Sequence, residues 1–139
     1  MTKSPVNTVP VDDVMLAYRE YGSGYPVIFI NGFASTMDMW NPPVLGTISE
    51  HFRVIIFDNR GTGYSGSSAR PLSMALLARD TAGLMDALGI SCAHVLGLSM
   101  GASAAQELAI GFPERINRLI LVSGTCGGPG SIPTPPEIV

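Results

Sequence analysis

Five residues in the middle of the chain, Gly97-Leu98-Ser99-Met100-Gly101, have the types and spacing of an activated nucleophile, a hydroxyl flanked at two positions by residues without side chains. A serine so placed can attack an acyl carbon once a base takes its proton. With 16 glycines in 139 residues, the match by itself carries little weight, and its setting decides. The apolar stretch Ala93–Leu98 reads as a strand that passes directly into a helix from Met100 onward. Ser99 then stands on a sharp turn that lifts its hydroxyl clear of the sheet edge, and Gly97 and Gly101 leave room for that turn. The helix start directs free amides and positive dipole at the same point. The competing reading is a serine that caps an ordinary helix.

Two other stretches bear on this chemistry. Ile28-Phe29-Ile30-Asn31-Gly32-Phe33 ends a strand in a turn at Gly32, which would aim the Phe33 amide toward Ser99. Together with the Met100 amide it would form a two-donor hole for an oxyanion; otherwise Phe33 simply packs. Phe57-Asp58-Asn59-Arg60-Gly61-Thr62-Gly63-Tyr64-Ser65 follows a second strand, with Asp58 and Arg60 expected to fix the loop together. Gly61 to Gly66 also spells G-x-G-x-x-G, but a dinucleotide fingerprint must open a helix at once, and Ser67-Ser68-Ala69-Arg70-Pro71 intervenes. Trp40 is a candidate for an apolar substrate pocket and equally a packing residue.

The elements that must hold these residues follow from periodicity. Val6–Val11 and Val14–Tyr21 read as a strand pair turned at Asp12-Asp13. Pro26–Ile30, Arg53–Phe57, His94–Leu98 and Leu119–Val122 are short continuous apolar runs, as suits strands buried on both faces. Ser73 to Leu88 carries an amphipathic stripe with Ser73 as N-cap and Gly89 as stop. A second helix should run from Met100 to about Phe112, with Ala102, Ala105 and Ala109 as a small face against the sheet. Alternation of strand and helix predicts an α/β fold, a mostly parallel sheet with helices on both faces.

Composition narrows the function. Residues counted as hydrophobic make up 46%, only 14% are charged, and mean hydropathy is +0.31, against about 25% charged in an average domain. This excludes a disordered chain and points to apolar surface left uncovered. A net charge of −3 without a basic run argues against nucleic acid. No run approaches a membrane span, and no leader-like stretch opens the chain. Cys92 and Cys126 are too few for a disulfide framework or a zinc site, and they fall at opposite ends of the sheet, so a cytoplasmic setting is expected.

On these motifs the chain resembles the N-terminal half of α/β-hydrolase fold serine hydrolases, in the esterase and enol-lactonase-like branch. Asn31-Gly32-Phe33 is similar to the family's oxyanion turn, with Asn for the usual His. Asp58-x-Arg60-Gly61-x-Gly63-x-Ser65 resembles its loop after strand 4, and Gly97–Gly101 its elbow. Phe112-Pro113-Glu114-Arg115 through Ser123 is similar to its passage into strand 6. The resemblance implies attack by Ser99 on a small-molecule ester or lactone, with Phe33 and Met100 holding the oxyanion and no metal or organic cofactor. Thioesterase, haloperoxidase-like and C–C hydrolase chemistries share this elbow and stay open, whereas Ser99 in place of Asp argues against epoxide hydrolases and haloalkane dehalogenases. Residues 9–125 would form the N-terminal part of one domain after a tail at 1–8, with a Gly/Pro-rich tail at 126–139 and the sheet truncated after about strand 6.

A serine nucleophile needs a histidine base and an acid to orient it. The chain has two histidines. His94 lies five residues before Ser99 on the same strand, roughly 16 Å away, and His51 precedes strand 53–57 at the opposite edge of the sheet. Both are expected as surface or loop residues. The base and acid would therefore come from a C-terminal half or a second chain that completes the sheet. The alternative is a non-catalytic binding or regulatory module that pairs through its exposed edge.

Overall fold

The computed structural model describes residues 1–132. The apolar runs form the centre of one six-stranded sheet. β1 (Asn7–Val11) and β2 (Val14–Tyr21) make a hairpin turned at Asp12-Asp13, and β3 (Pro26–Ile30), β4 (Arg53–Phe57), β5 (Ala93–Leu98) and β6 (Ile116–Val122) follow. The spatial order is β1-β2-β4-β3-β5-β6. β4, β3, β5 and β6 run parallel, while β2 joins β4 antiparallel.

Successive residues of a strand face opposite sides, and both sides are covered. Ile28, Ile30, Ile55, Phe57 and Val95 pack against α2 (Met74–Ala87) and α3 (Met100–Gly111). Val27, Phe29, Val54 and Ile56 pack on the other face under α1 (Pro42–Ser49). Each large side chain so buried contributes about 1.5–3 kcal/mol, which is why these strands read as unbroken apolar runs. Ser73 caps α2 in extended conformation, its hydroxyl accepting from the Leu76 amide at 3.0 Å. Gly89, at φ 67°, ends it: its amide donates to the Asp86 carbonyl and the Ile90 amide to that of Met85, a Schellman closure.

The structure departs from expectation in four places. α1 has no periodic stripe strong enough to announce it; Pro42-Pro43 opens it, and burial of Leu45 against the sheet holds it. β6 begins at Ile116, three residues earlier than its apolar run, because a short 3₁₀ turn at Pro113–Arg115 feeds it straight into register beside Ala93. The close-packed face of α3 is Gly101, Ala102, Ala104, Ala105 and Leu108, while Ala109 is half-buried at its margin. β6 is the sheet's edge, as expected, and this leaves Leu119, Ile120, Leu121 and Val122 exposed instead of buried on both faces.

The loop after β4 is tied down by charge. Arg60 is bidentate to Asp80 of α2, through Nε at 2.6 Å and Nη2 at 2.7 Å, and Nη2 also donates to Asp13 of the hairpin turn at 3.1 Å. Hydrogen bonding to Asp80 raises the guanidinium far above its ordinary range. The Ser68 hydroxyl first, then Arg60, hold the Asp13 carboxyl below its ordinary value against the opposing pull of desolvation. A carboxyl whose folded pKa is depressed stabilises above its unfolded pKa and loses that contribution as pH falls through the folded one. The Asp13→Asn variant is therefore expected to melt below the wild type near neutral pH, and the gap should close in acid, below about pH 4. Thermal melts across pH check this; a gap that persists unchanged in acid contradicts it.

Candidate active site

Among the described residues two serines precede helices, and they differ in backbone. Ser73 has the extended conformation of an ordinary cap, φ −144° and ψ 159°. Ser99 has φ 55° and ψ −117°, and its side chain makes no capping hydrogen bond. For a residue with a Cβ that geometry is strained by about 1–3 kcal/mol. Two hydrogen bonds and two close backbone contacts impose it. The Ser99 amide donates to the Val122 carbonyl at the end of β6 (2.8 Å), and the Ala102 amide donates back to the Ser99 carbonyl (2.9 Å). A Cβ at Gly97 would collide with the Gly101 carbonyl oxygen, and a Cβ at Gly101 with that of Ile30, so α3 starts directly against the ends of β5 and β3. Ser99 itself is exposed.

This approach brings the turn after β3 to the serine. A Cβ at Gly32 would lie 3.3 Å from the Cβ of Ser99 and 3.3 Å from the Leu98 carbonyl oxygen. Phe33 follows, its side chain 77% exposed. Among the described residues neither the Phe33 amide nor the Met100 amide donates to a protein acceptor. Asn31, buried, fixes the turn: its Nδ2 donates to the Phe57 carbonyl (2.8 Å), and its own carbonyl accepts from Asn59 Nδ2 (3.2 Å). That clamp across the ends of β3 and β4 was not singled out from the sequence, although Asn31 and Asn59 each follow an apolar run by one or two residues.

Asp58 and Arg60 do not act as a pair. Asp58 is fully buried and organises the loop through amides, Oδ1 accepting from Met37 (2.7 Å) and Oδ2 from Tyr64 (2.8 Å), while the Ser65 hydroxyl donates to its carbonyl (2.6 Å). Arg60 is committed to Asp80 and Asp13 instead. Asp58 stands two strands from Ser99 at the same sheet edge. Trp40 packs edge-on against Phe29, with ring centroids 4.8 Å apart, in the core under α1 rather than beside Ser99. The Gly61–Gly66 stretch closes on itself through a 2.8 Å amide–carbonyl bond, and no helix opens between it and Met74.

Neither histidine reaches the serine. His94 pairs with Val27 near the start of β5 and stacks with Tyr25 (4.7 Å) and Phe52 (5.8 Å), so it is a partly buried strand residue rather than a surface one. His51 is exposed before β4, at the edge opposite Ser99. Both cysteines are free thiols. Among the described residues no acidic, histidine and cysteine side chains cluster as a metal site would need, and no helix is long and apolar enough to cross a membrane.

The close approach at Gly101 is testable by stability alone. Gly101→Ala forces the β3 carbonyls and α3 apart and is expected to cost about 3 kcal/mol or to prevent folding. Gly111→Ala, with nothing within 4 Å of the added methyl, should change stability by no more than about 1 kcal/mol. Urea denaturation of the two variants measures the contrast.

Comparison with known proteins agrees with this geometry. Residues 25–138 match the family described as alpha/beta hydrolase fold. A protein of Azorhizobium caulinodans provisionally named a carbamate hydrolase, RutD, is 37% identical over 112 residues, 81% of this chain and 42% of that protein. A 3-oxoadipate enol-lactonase of Acinetobacter baylyi is 34% identical over 119 residues, 84% of this chain and 44% of its own length. Among solved structures, a hydrolase from Pseudomonas aeruginosa superposes with a TM-score of 0.83 at 36% identity, over 89% of this chain and 48% of that one. The chain thus spans less than half the length of each of these relatives. With its sheet order, its elbow and the match over residues 25–138, the chain belongs to the α/β-hydrolase fold family.

Proposed function

We propose that this chain carries the nucleophile and oxyanion-binding part of a serine hydrolase acting on carboxylic ester or lactone bonds, residues 9–125 being the N-terminal part of its domain. The observation that carries the reading is the contrast between the two helix-opening serines: Ser99 alone is strained and free of capping. Its Oγ attacks the carbonyl carbon, and the C=O electron pair moves onto an oxygen held by the Phe33 and Met100 amides. Collapse expels the alkoxide, which receives the serine proton through a histidine supplied by sequence outside this chain, as is the acid that orients it. Water then attacks acyl-Ser99 by the same route and releases the carboxylic acid. The enol-lactonase relative supports an acyl-oxygen substrate, and two free thiols suit a reducing, cytoplasmic setting.

A fluorophosphonate probe should label the intact protein stoichiometrically at Ser99 and leave Ser99→Ala unlabelled. Absence of labelling in the wild type, or undiminished labelling of the variant, would overturn the reading.

The exposed apolar edge of β6 favours a second reading, a binding module without catalysis that pairs along that strand. On that reading the protein stays unlabelled and sediments as a stable oligomer, and charged substitutions at Ile120 disperse it. A monomer labelled at Ser99 excludes it.

A further inference from the structure

Between the turn after β3 and the loop after β4 lies a cleft of about 410 Å³ that reaches Met100, next to the nucleophile. Arg60 and Arg70 both stand in its wall, which would ordinarily mark a receptor for a carboxylate or phosphate. Their hydrogen bonds argue the reverse. Arg60, 7% exposed, has all three nitrogens occupied: both oxygens of Asp80, Asp13 at 3.1 Å, and Ser68 Oγ, which accepts from Nη1 at 3.0 Å. Arg70 Nη1 is paired with Asp12 and lies 3.5 Å from Asp13. Two guanidiniums thus face three carboxylates, Asp12, Asp13 and Asp80, and the local balance is one negative charge. An entering anion would find no unoccupied fork on Arg60, and at Arg70 it would meet an exposed guanidinium already paired through Nη1 with Asp12, against that charge.

Of the remaining polar wall, Thr62 Oγ1 donates to the Asn59 carbonyl at 2.7 Å and Ser68 Oγ also accepts from the Arg70 amide, while Asn59 Oδ1, buried without a partner, is an acceptor that a carboxylate cannot use. Apart from the Phe33 and Met100 amides, most of what is left to meet a ligand is apolar. Phe33 (77% exposed) and Leu72 (50% exposed) flank the mouth, with Met100 and Leu77 in the lining. We infer, resting on the serine-hydrolase reading, that the substrate arm held in this cleft is uncharged and apolar, so the chain serves neutral esters or lactones rather than ones that carry a free carboxylate. This separates it from the substrate that the Acinetobacter relative's name implies, since an enol-lactone of oxoadipate keeps one free carboxylate beside the lactone.

Hexyl acetate and 6-acetoxyhexanoate are matched in length and differ by a terminal carboxylate. Their equilibrium binding to the intact Ser99→Ala protein, followed by calorimetry or amide shifts, should favour the neutral ester by about tenfold or more. Leu72→Asp should weaken the neutral ester at least about fivefold, and Leu72→Lys should narrow the gap by admitting the carboxylate. Leu72 is half exposed, so neither change threatens the core. Equal or tighter binding of the carboxylate, or no binding of either ligand, overturns the inference. Phosphonate labelling of the wild type reports separately: discrimination without labelling would sink the hydrolase reading and leave the cleft's selectivity standing.

Discussion

The site depends on one contact without room for a side chain. α3 begins where the carbonyl ends of β3 and β5 converge, and the backbone of Gly101 lies against the Ile30 and Asn31 carbonyl oxygens while that of Gly97 lies against Gly101. Only when helix and strand ends meet this closely can Ser99 be pushed to positive φ, and only then does Gly32 arrive beside its Cβ. The orientation of the Met100 amide and the nearness of the Phe33 turn are consequences of the same approach. The absence of a side chain at Gly97 and Gly101 thus sets the placement of Ser99, the Met100 amide and the turn before Phe33 together.

Polar groups around this contact hold it without adding free charge to the cleft. Asn31 and Asn59 bind the ends of β3 and β4 together, and Asp58 spends its carboxylate on two backbone amides. Arg60 and Asp80 are a buried, bidentate pair whose desolvation is offset by geometry and by the extra bonds from Asp13 and Ser68. Such an arrangement fixes loops rather than recruiting ligands.

How legible each part was depended on how local its cause is. The elbow was readable because strand, Gly-x-Ser-x-Gly and helix occupy neighbouring residues, and the two long helices because Ser73, Gly89 and Pro113 punctuate them. α1 was not readable, because two prolines and Gly46 hide a helix that burial of Leu45 stabilises. Arg60 was singled out, but its partners were not: they lie 20 and 47 residues away and meet only when the hairpin, loop and α2 are assembled. Trp40 was ambiguous for the same reason, since its contact with Phe29 depends on which face of β3 that ring takes.

The bond from the Ser99 amide to the Val122 carbonyl gives the border strand a mechanical part in the site. β3 braces the elbow from the buried side, and β6, with nothing paired along its outer edge among the described residues, braces it from the other. The chain leaving β6 also passes so close over α3 that a side chain at Gly124 would strike Ala102. The strained serine can persist only while this outer brace stays zipped, so the lifetime of the elbow's geometry is bounded by the opening rate of the least protected strand in the sheet.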